Sequence, residues 1–511
     1  MLFNSVVFIF LFLPITVAGY FFLARFGRRP ALGWLISASL FFYAWWSVAF
    51  LPLLLGSILF NYGMSELIGR TQRPRLQNAF LTLAIVVDLG ALAYYKYLFA
   101  IVQTLNAHLG LSMHFDEIAL PIGISFFTFT QIGYLLDVKQ GMTEERGFLS
   151  YIMFVTFFPH LVAGPILHNR EMMPQYADEK TYRVSASNIS IGLALLVMGL
   201  AKKTLLADPH SAAVASGFAH TGALSAGEAW HVVLSYSLQL YFDFSGYSDM
   251  AIGLARIFNV TFPVNFNSPF KSTSIIEYWQ RWHITLTNYL NLYLYNPIAM
   301  KVSRWRMERD LDVSRKALAT PGGFAAMVLF PTFATMGIAG VWHGAGLQFL
   351  IFGLMHATYL SINNAWRVYR APAKKATKGQ PEPAWKRPVK VLLTYLSVVI
   401  AVIFFRAPST EAALQMLSAM LGANGLGSFG GASFSRAELL VMLLSYFIIW
   451  GLPNTQQILV QHAPVLEKVT AGRPAWLQWK PTAAWAAGLG VLAACAILAT
   501  GGTSEFLYFQ F

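Results

Sequence analysis

Apolar runs near twenty residues long, separated by short polar or basic segments, recur along almost the whole chain. A helix needs about 20 apolar residues to cross the hydrocarbon core, and inside lipid the backbone must satisfy its own hydrogen bonds. Runs at about 3–24, 31–47, 49–69, 79–103, 119–138, 148–167, 189–206, 229–258, 321–342, 347–364, 391–406, 436–452 and 481–500 are therefore predicted as membrane helices. Breaks such as Pro159-His160 and Gly164-Pro165 predict re-entrant or interfacial pieces among them. The expected fold is all-α and multi-pass, with roughly ten to thirteen transmembrane helices. The run at 3–24 has no basic leader, and Arg25, Arg28 and Arg29 follow it, so it reads as a retained span rather than a cleaved signal.

Composition sharpens this picture. The chain is 56% hydrophobic and only 12% charged, against about a quarter charged in soluble domains. Its net charge of +13 is carried mainly by short loops at 25–29, 70–75, 301–316 and 370–390. Basic loops between apolar runs mark the cytoplasmic face, which places both termini outside a bacterial inner membrane. With no separate basic domain or stacking platform, nucleic-acid binding is not expected. A single cysteine, Cys495, excludes an intramolecular disulfide and a multi-cysteine metal site. The organisation expected is a core over 1–365, a basic cytoplasmic linker over 366–390, further transmembrane helices over 391–500, and an extracytoplasmic aromatic tail over 501–511.

Candidate chemistry concentrates at two tryptophan-histidine pairs. Val341-Trp342-His343-Gly344-Ala345-Gly346 lies between two apolar runs. Ionisable groups at membrane depth are costly and usually functional, and histidine exchanges protons near neutral pH. The small residues after His343 leave room for a ligand beside the imidazole; the alternative is a capping histidine in a tight turn. Ile275 to Tyr295 has apolar residues at helical spacing and predicts one amphipathic interfacial helix, with Glu277 paired to Arg281 at i,i+4. There His283 is either a satisfied polar residue or a group aimed into a cavity. His356 is a further inward-facing candidate. No pair among these histidines has the spacing of a helical metal motif, so no metal is expected. Asp243 and Asp249 stand in an apolar run and need partners, with neighbouring backbone or Arg256 the nearest in sequence.

These residues fall within a wider pattern: Phe41-Phe42-Tyr43-Ala44-Trp45-Trp46, Leu120-Pro121-Ile122-Gly123-Ile124-Ser125-Phe126, Phe158-Pro159-His160-Leu161-Val162-Ala163-Gly164-Pro165, Tyr241-Phe242-Asp243-Phe244-Ser245-Gly246-Tyr247-Ser248-Asp249, Arg281-Trp282-His283 and Val341-Trp342-His343-Gly344. In this order they resemble the membrane-bound O-acyltransferase family, in the bacterial branch of alginate O-acetyltransferases and teichoic-acid D-alanyl transferases. The resemblance implies a ring of tilted helices around a central funnel, with the family's catalytic histidine at His343 and its second active-site residue at His283. Asp243, Asp249, Arg281, His356 and His160 are candidate supporting residues. It further implies acetyl-CoA as donor substrate with no bound cofactor, an extracytoplasmic acetyltransferase or esterase-like partner, and a polysaccharide as final acceptor. D-alanyl transfer from a carrier protein is the alternative enzymatic reading, and a proton-coupled transporter the alternative of another class.

The tail, Gly501 to Phe511, carries four aromatic residues in its last six. One reading is an interfacial anchor. The other follows a similarity to the C-terminal motif of the small membrane partner in teichoic-acid D-alanylation, and makes Tyr508 an acyl acceptor. A phenol with a pKa of about 10 deprotonates more readily than an alkyl alcohol.

Overall fold

A computed structural model describes the chain except for residues 117, 370–382, 432–434, 473, 501–505 and 508–511. All regular structure among the described residues is helical, as the apolar runs require of a multi-pass membrane chain. Among the described residues, five helices are long and apolar enough to cross a membrane: Val48–Arg70, Pro74–Lys96, Ala186–Ala219, Pro321–His343 and Lys386–Arg406. Phe8–Ala24, Leu98–Leu109 and Ala483–Leu498 are shorter apolar helices.

Several runs are subdivided. The run at 79–103 breaks at Tyr97 into Pro74–Lys96 and Leu98–Leu109. That at 148–167 gives only Phe148–Thr156 and Phe158–Leu161, because the chain leaves helical geometry at Phe157 (ψ 109°), two residues before Pro159. Interrupted helices of this kind are tolerated where the freed backbone is buried in protein. Hydropathy reports which stretches avoid water, not where a buried helix breaks.

The chain forms two compact units, each assembled from separated stretches. The first comprises 1–208, 241–264 and 453–511; the second comprises 209–240 and 265–452. In the first, Phe3, Phe8, Phe42, Phe158 and Tyr247 make an aromatic core, with Phe3 and Tyr247 stacked at 4.8 Å. Ala186–Ala201 runs beside the second half of Ala226–Ile257 through paired glycines. A Cβ on Gly192 would lie 2.5 Å from the Gly253 carbonyl oxygen, and one on Gly199 would lie 2.6 Å from that of Gly246. Small residues that let backbones touch are a common packing device in membranes. Here they bring the Lys202-Lys203 end of one segment against the aspartates of the other.

In the second unit, Phe330–His343 packs along Leu347–Tyr369, again at glycines: a Cβ on Gly340 would fall 2.4 Å from the Phe349 carbonyl oxygen. Leu347–Tyr369 in turn packs on Lys386–Arg406. The proposed linker's flanks at 366–369 and 386–390 are helical, and 370–382 lie outside the described residues.

Candidate active site

His343 is the last residue of its helix, just before the chain turns back at Gly344. It is 6% exposed. Its imidazole packs against Trp342 at 4.8 Å and meets Phe405 edge-on at 5.0 Å and Phe352 at 6.0 Å. Phe352 also meets His356 at 4.8 Å, so one phenylalanine lies against both rings. His356 is 1% exposed and accepts the indole N–H of Trp279 at Nδ1 (3.3 Å). Aromatic walls lower the local dielectric and strengthen any hydrogen bond made inside them.

The single helix expected over 275–295 is not formed. It breaks into Ile275–Trp279 and Ile284–Leu290, with a turn at 280–283, and Asn291–Tyr295 is a wider π-type turn. The break is matched by backbone hydrogen bonds with the segment 265–267. Asn267 N–H donates to the Arg281 carbonyl and Ile284 N–H to that of Asn265, both at 2.9 Å. Arg281 reinforces it, pairing with Glu277 at 2.9 Å and donating to the Asn267 carbonyl at 3.2 Å. Arg281 therefore builds the turn.

His283 occupies that turn in left-handed geometry, with φ of +42°. Such a conformation is rare for a residue with a Cβ and costs about 1–3 kcal/mol, and it concentrates at functional sites. Its Nδ1 is 3.0 Å from Asn265 Oδ1, which also accepts from Thr285 Oγ1 at 2.9 Å. A carboxamide oxygen only accepts, so Nδ1 carries the proton and Nε2 is the acceptor nitrogen of the neutral ring. Burial pushes the His283 pKa down to about 3. The ring is neutral at physiological pH.

A cavity of about 200 Å³ opens in the same unit. Trp279, Gln280, Asn291, Thr335 and Arg367 contribute to its lining. Thr335 is 4% exposed and its hydroxyl has no hydrogen-bond partner among the described residues. The indole of Trp279 thus borders the cavity while its N–H bonds His356.

The other candidates belong to the first unit. His160 is buried and its Nε2–H donates to the Phe154 carbonyl at 2.8 Å, so it ties the broken helix together. Asp243 and Asp249 do not use Arg256, which bonds the hydroxyl of Thr261 instead. Their partners are lysines: Lys203 on Asp243 and Lys202 on Asp249, each at 2.5 Å. Asp249 also accepts from Thr455 Oγ1 (2.7 Å) and Gln456 Nε2 (2.6 Å). The signal for this was present, since two adjacent lysines in a predicted span are as costly as the aspartates. Asn265 and the Trp279–His356 bond carried no such signal. Among the described residues, no group of three or more His, Cys, Asp or Glu is placed to hold a metal. Tyr508 lies outside the described residues.

The sequence profile of the membrane-bound O-acyltransferase family matches residues 136–307, a stretch that includes His283 and ends before His343. The chain is 39% identical to a peptidoglycan O-acetyltransferase of Helicobacter pylori, over 83% of this chain and 81% of that one. It is 34% identical to a probable alginate O-acetylase of Pseudomonas aeruginosa over the full length of both. A teichoic acid D-alanyltransferase of Bacillus subtilis is 26% identical over 54% of this chain and 65% of its own.

Proposed function

The chain belongs to the membrane-bound O-acyltransferase family and is an acyltransferase of the membrane, and from that premise we propose that it moves acetyl groups from cytoplasmic acetyl-CoA to an extracytoplasmic polysaccharide. Acetyl is favoured over D-alanyl because relatives named for acetyl transfer match at 34–39% over most of the chain, whereas those named for D-alanyl transfer match at 24–26% over about half. The observation that carries the reading is His343, a buried imidazole at a helix end walled by Trp342, Phe352 and Phe405.

In this reaction His343 takes the proton of the acceptor hydroxyl as its oxygen attacks the thioester carbonyl. The tetrahedral adduct collapses with cleavage of the C–S bond, and the proton passes from His343 to the departing sulfur, leaving an ester and CoA. A positioned base of this kind contributes about 10²–10⁴-fold. His283 is held in the tautomer whose Nε2 accepts, so it orients a hydroxyl by accepting its hydrogen bond; it does not donate to the carbonyl oxygen. The cavity beside Trp279 suits the donor's thioester arm, and Arg367 at its rim suits a phosphate. Exposed Lys301, Arg304, Arg309 and Arg315 add positive charge on the face assigned to the cytoplasm.

The phenol of Tyr508 serves as the first acceptor. Its acetyl ester is then transferred to the polymer by an extracytoplasmic partner enzyme, so the polymer itself need not enter the membrane. Both termini lie outside the inner membrane in this arrangement.

The test is purified His343→Ala protein with labelled acetyl-CoA. Transfer should fall by at least about a hundredfold while the protein stays monodisperse in detergent. Retention of more than about 5% of the parent rate would remove His343 from the base role.

A further inference from the structure

Asp243 has a second contact that the reaction above does not explain. It sits in the middle of Ala226–Ile257 and is 2% exposed. One of its oxygens, Oδ1, accepts from Lys203 Nζ at 2.5 Å, and Lys203 also pairs with Asp208 at 2.9 Å. One ammonium thus faces two carboxyl groups. The other oxygen, Oδ2, accepts the backbone N–H of Leu507 at 3.1 Å, from 264 positions along the chain.

Phe506 and Leu507 are themselves buried, at 1% and 7% exposure. The Phe506 ring meets Tyr247 edge-on at 4.4 Å, and Lys203 Nζ lies 4.9 Å from its centre. A buried carboxylate is costly unless its oxygens find donors. Here one donor comes from the backbone of the terminal segment, beyond Gly501 and Gly502, and an aromatic ring covers the ion pair.

We infer that Asp243, Lys203 and Tyr247 form a socket that seats Phe506-Leu507 and so anchors the C-terminal segment. Its consequence for the reaction rests on the Tyr508 relay; the socket itself does not. Consecutive Cα atoms are about 3.8 Å apart. An anchor at Leu507 narrows the volume open to whatever follows it in the chain, where a loose tail would explore a volume set by its whole length. Asp243 is a positioning residue: it acts on the tail and touches no reacting atom.

The test uses the full chain in a Cys495→Ala background, which removes the one native thiol. Leu507→Cys keeps the backbone donor, and the thiol it introduces reacts slowly with a water-soluble maleimide while the tail is seated. Asp243→Asn retains the Lys203–Asp208 pair but replaces the anionic acceptor with a neutral amide. It should speed labelling at least about tenfold and lower acetyl transfer by a comparable factor, with the KM for acetyl-CoA unchanged, the fold-change expected when a charge-assisted hydrogen bond is lost. Phe506→Ala leaves both ion pairs intact and should also speed labelling, which covers the case in which Asp243→Asn does not fold. Parent-rate labelling in Phe506→Ala and in any folded Asp243→Asn overturns the socket, even if Tyr508→Phe abolishes transfer. Faster labelling with undiminished transfer keeps the socket and removes the relay.

Discussion

Replacing Asn265 with alanine isolates what holds His283. The carboxamide oxygen accepts from His283 Nδ1 at 3.0 Å and from Thr285 Oγ1 at 2.9 Å, and all three residues are buried. Its loss leaves two buried donors unsatisfied, at about 1–3 kcal/mol each, or about 2–6 kcal/mol if neither side chain finds another partner. It also removes a support for the left-handed conformation at His283. Asn265→Ala should therefore melt earlier and acetylate more slowly, because the imidazole loses the bond that selects its tautomer. Asn265→Asp separates the two effects. The acceptor is kept and stability suffers less, but a carboxylate beside the ring raises the His283 pKa from about 3 toward the neutral range. A protonated ring cannot accept the acceptor hydroxyl, so activity in Asn265→Asp should fall with decreasing pH at a higher pH than in the parent. Initial rates of labelled acetyl transfer between pH 5 and 8, with thermal unfolding of detergent-solubilised protein, read both. An Asn265→Ala protein with parent stability and parent rate would refute the argument.

Two further outcomes follow from the same geometry. His283 is buried neutral, with a folded pKa near 3 against an ordinary value near 6.5; the stability tied to this is fully present above pH 6.5 and is lost as pH falls toward 3, at up to about 1.4 kcal/mol per pH unit. His283→Gln should flatten that part of the stability profile, and an unchanged slope would show that other groups dominate it. Arg367→Ala should raise the KM for acetyl-CoA about tenfold or less with little change in kcat, as loss of an exposed phosphate contact does; a fall in kcat at constant KM would place the donor elsewhere.

Apolar runs and their spacing were sufficient to establish an all-helical membrane chain, because avoidance of water is written locally in composition. The ordered motifs were sufficient for the family, since residue identities at fixed places need no coordinates. The tertiary structure decided how buried polar groups are matched. Asp243 and Asp249 find Lys203 and Lys202 across 40 and 47 positions, Trp279 meets His356 across 77, and Asn265 holds His283 across 18. The break of the 275–295 helix likewise depends on hydrogen bonds from 265–267, which its own periodicity does not encode. Periodicity tells which face of a helix leaves water; it does not tell which distant atom meets that face. Buried charges and hydrogen bonds are satisfied by partners that only the folded backbone brings within about 3 Å.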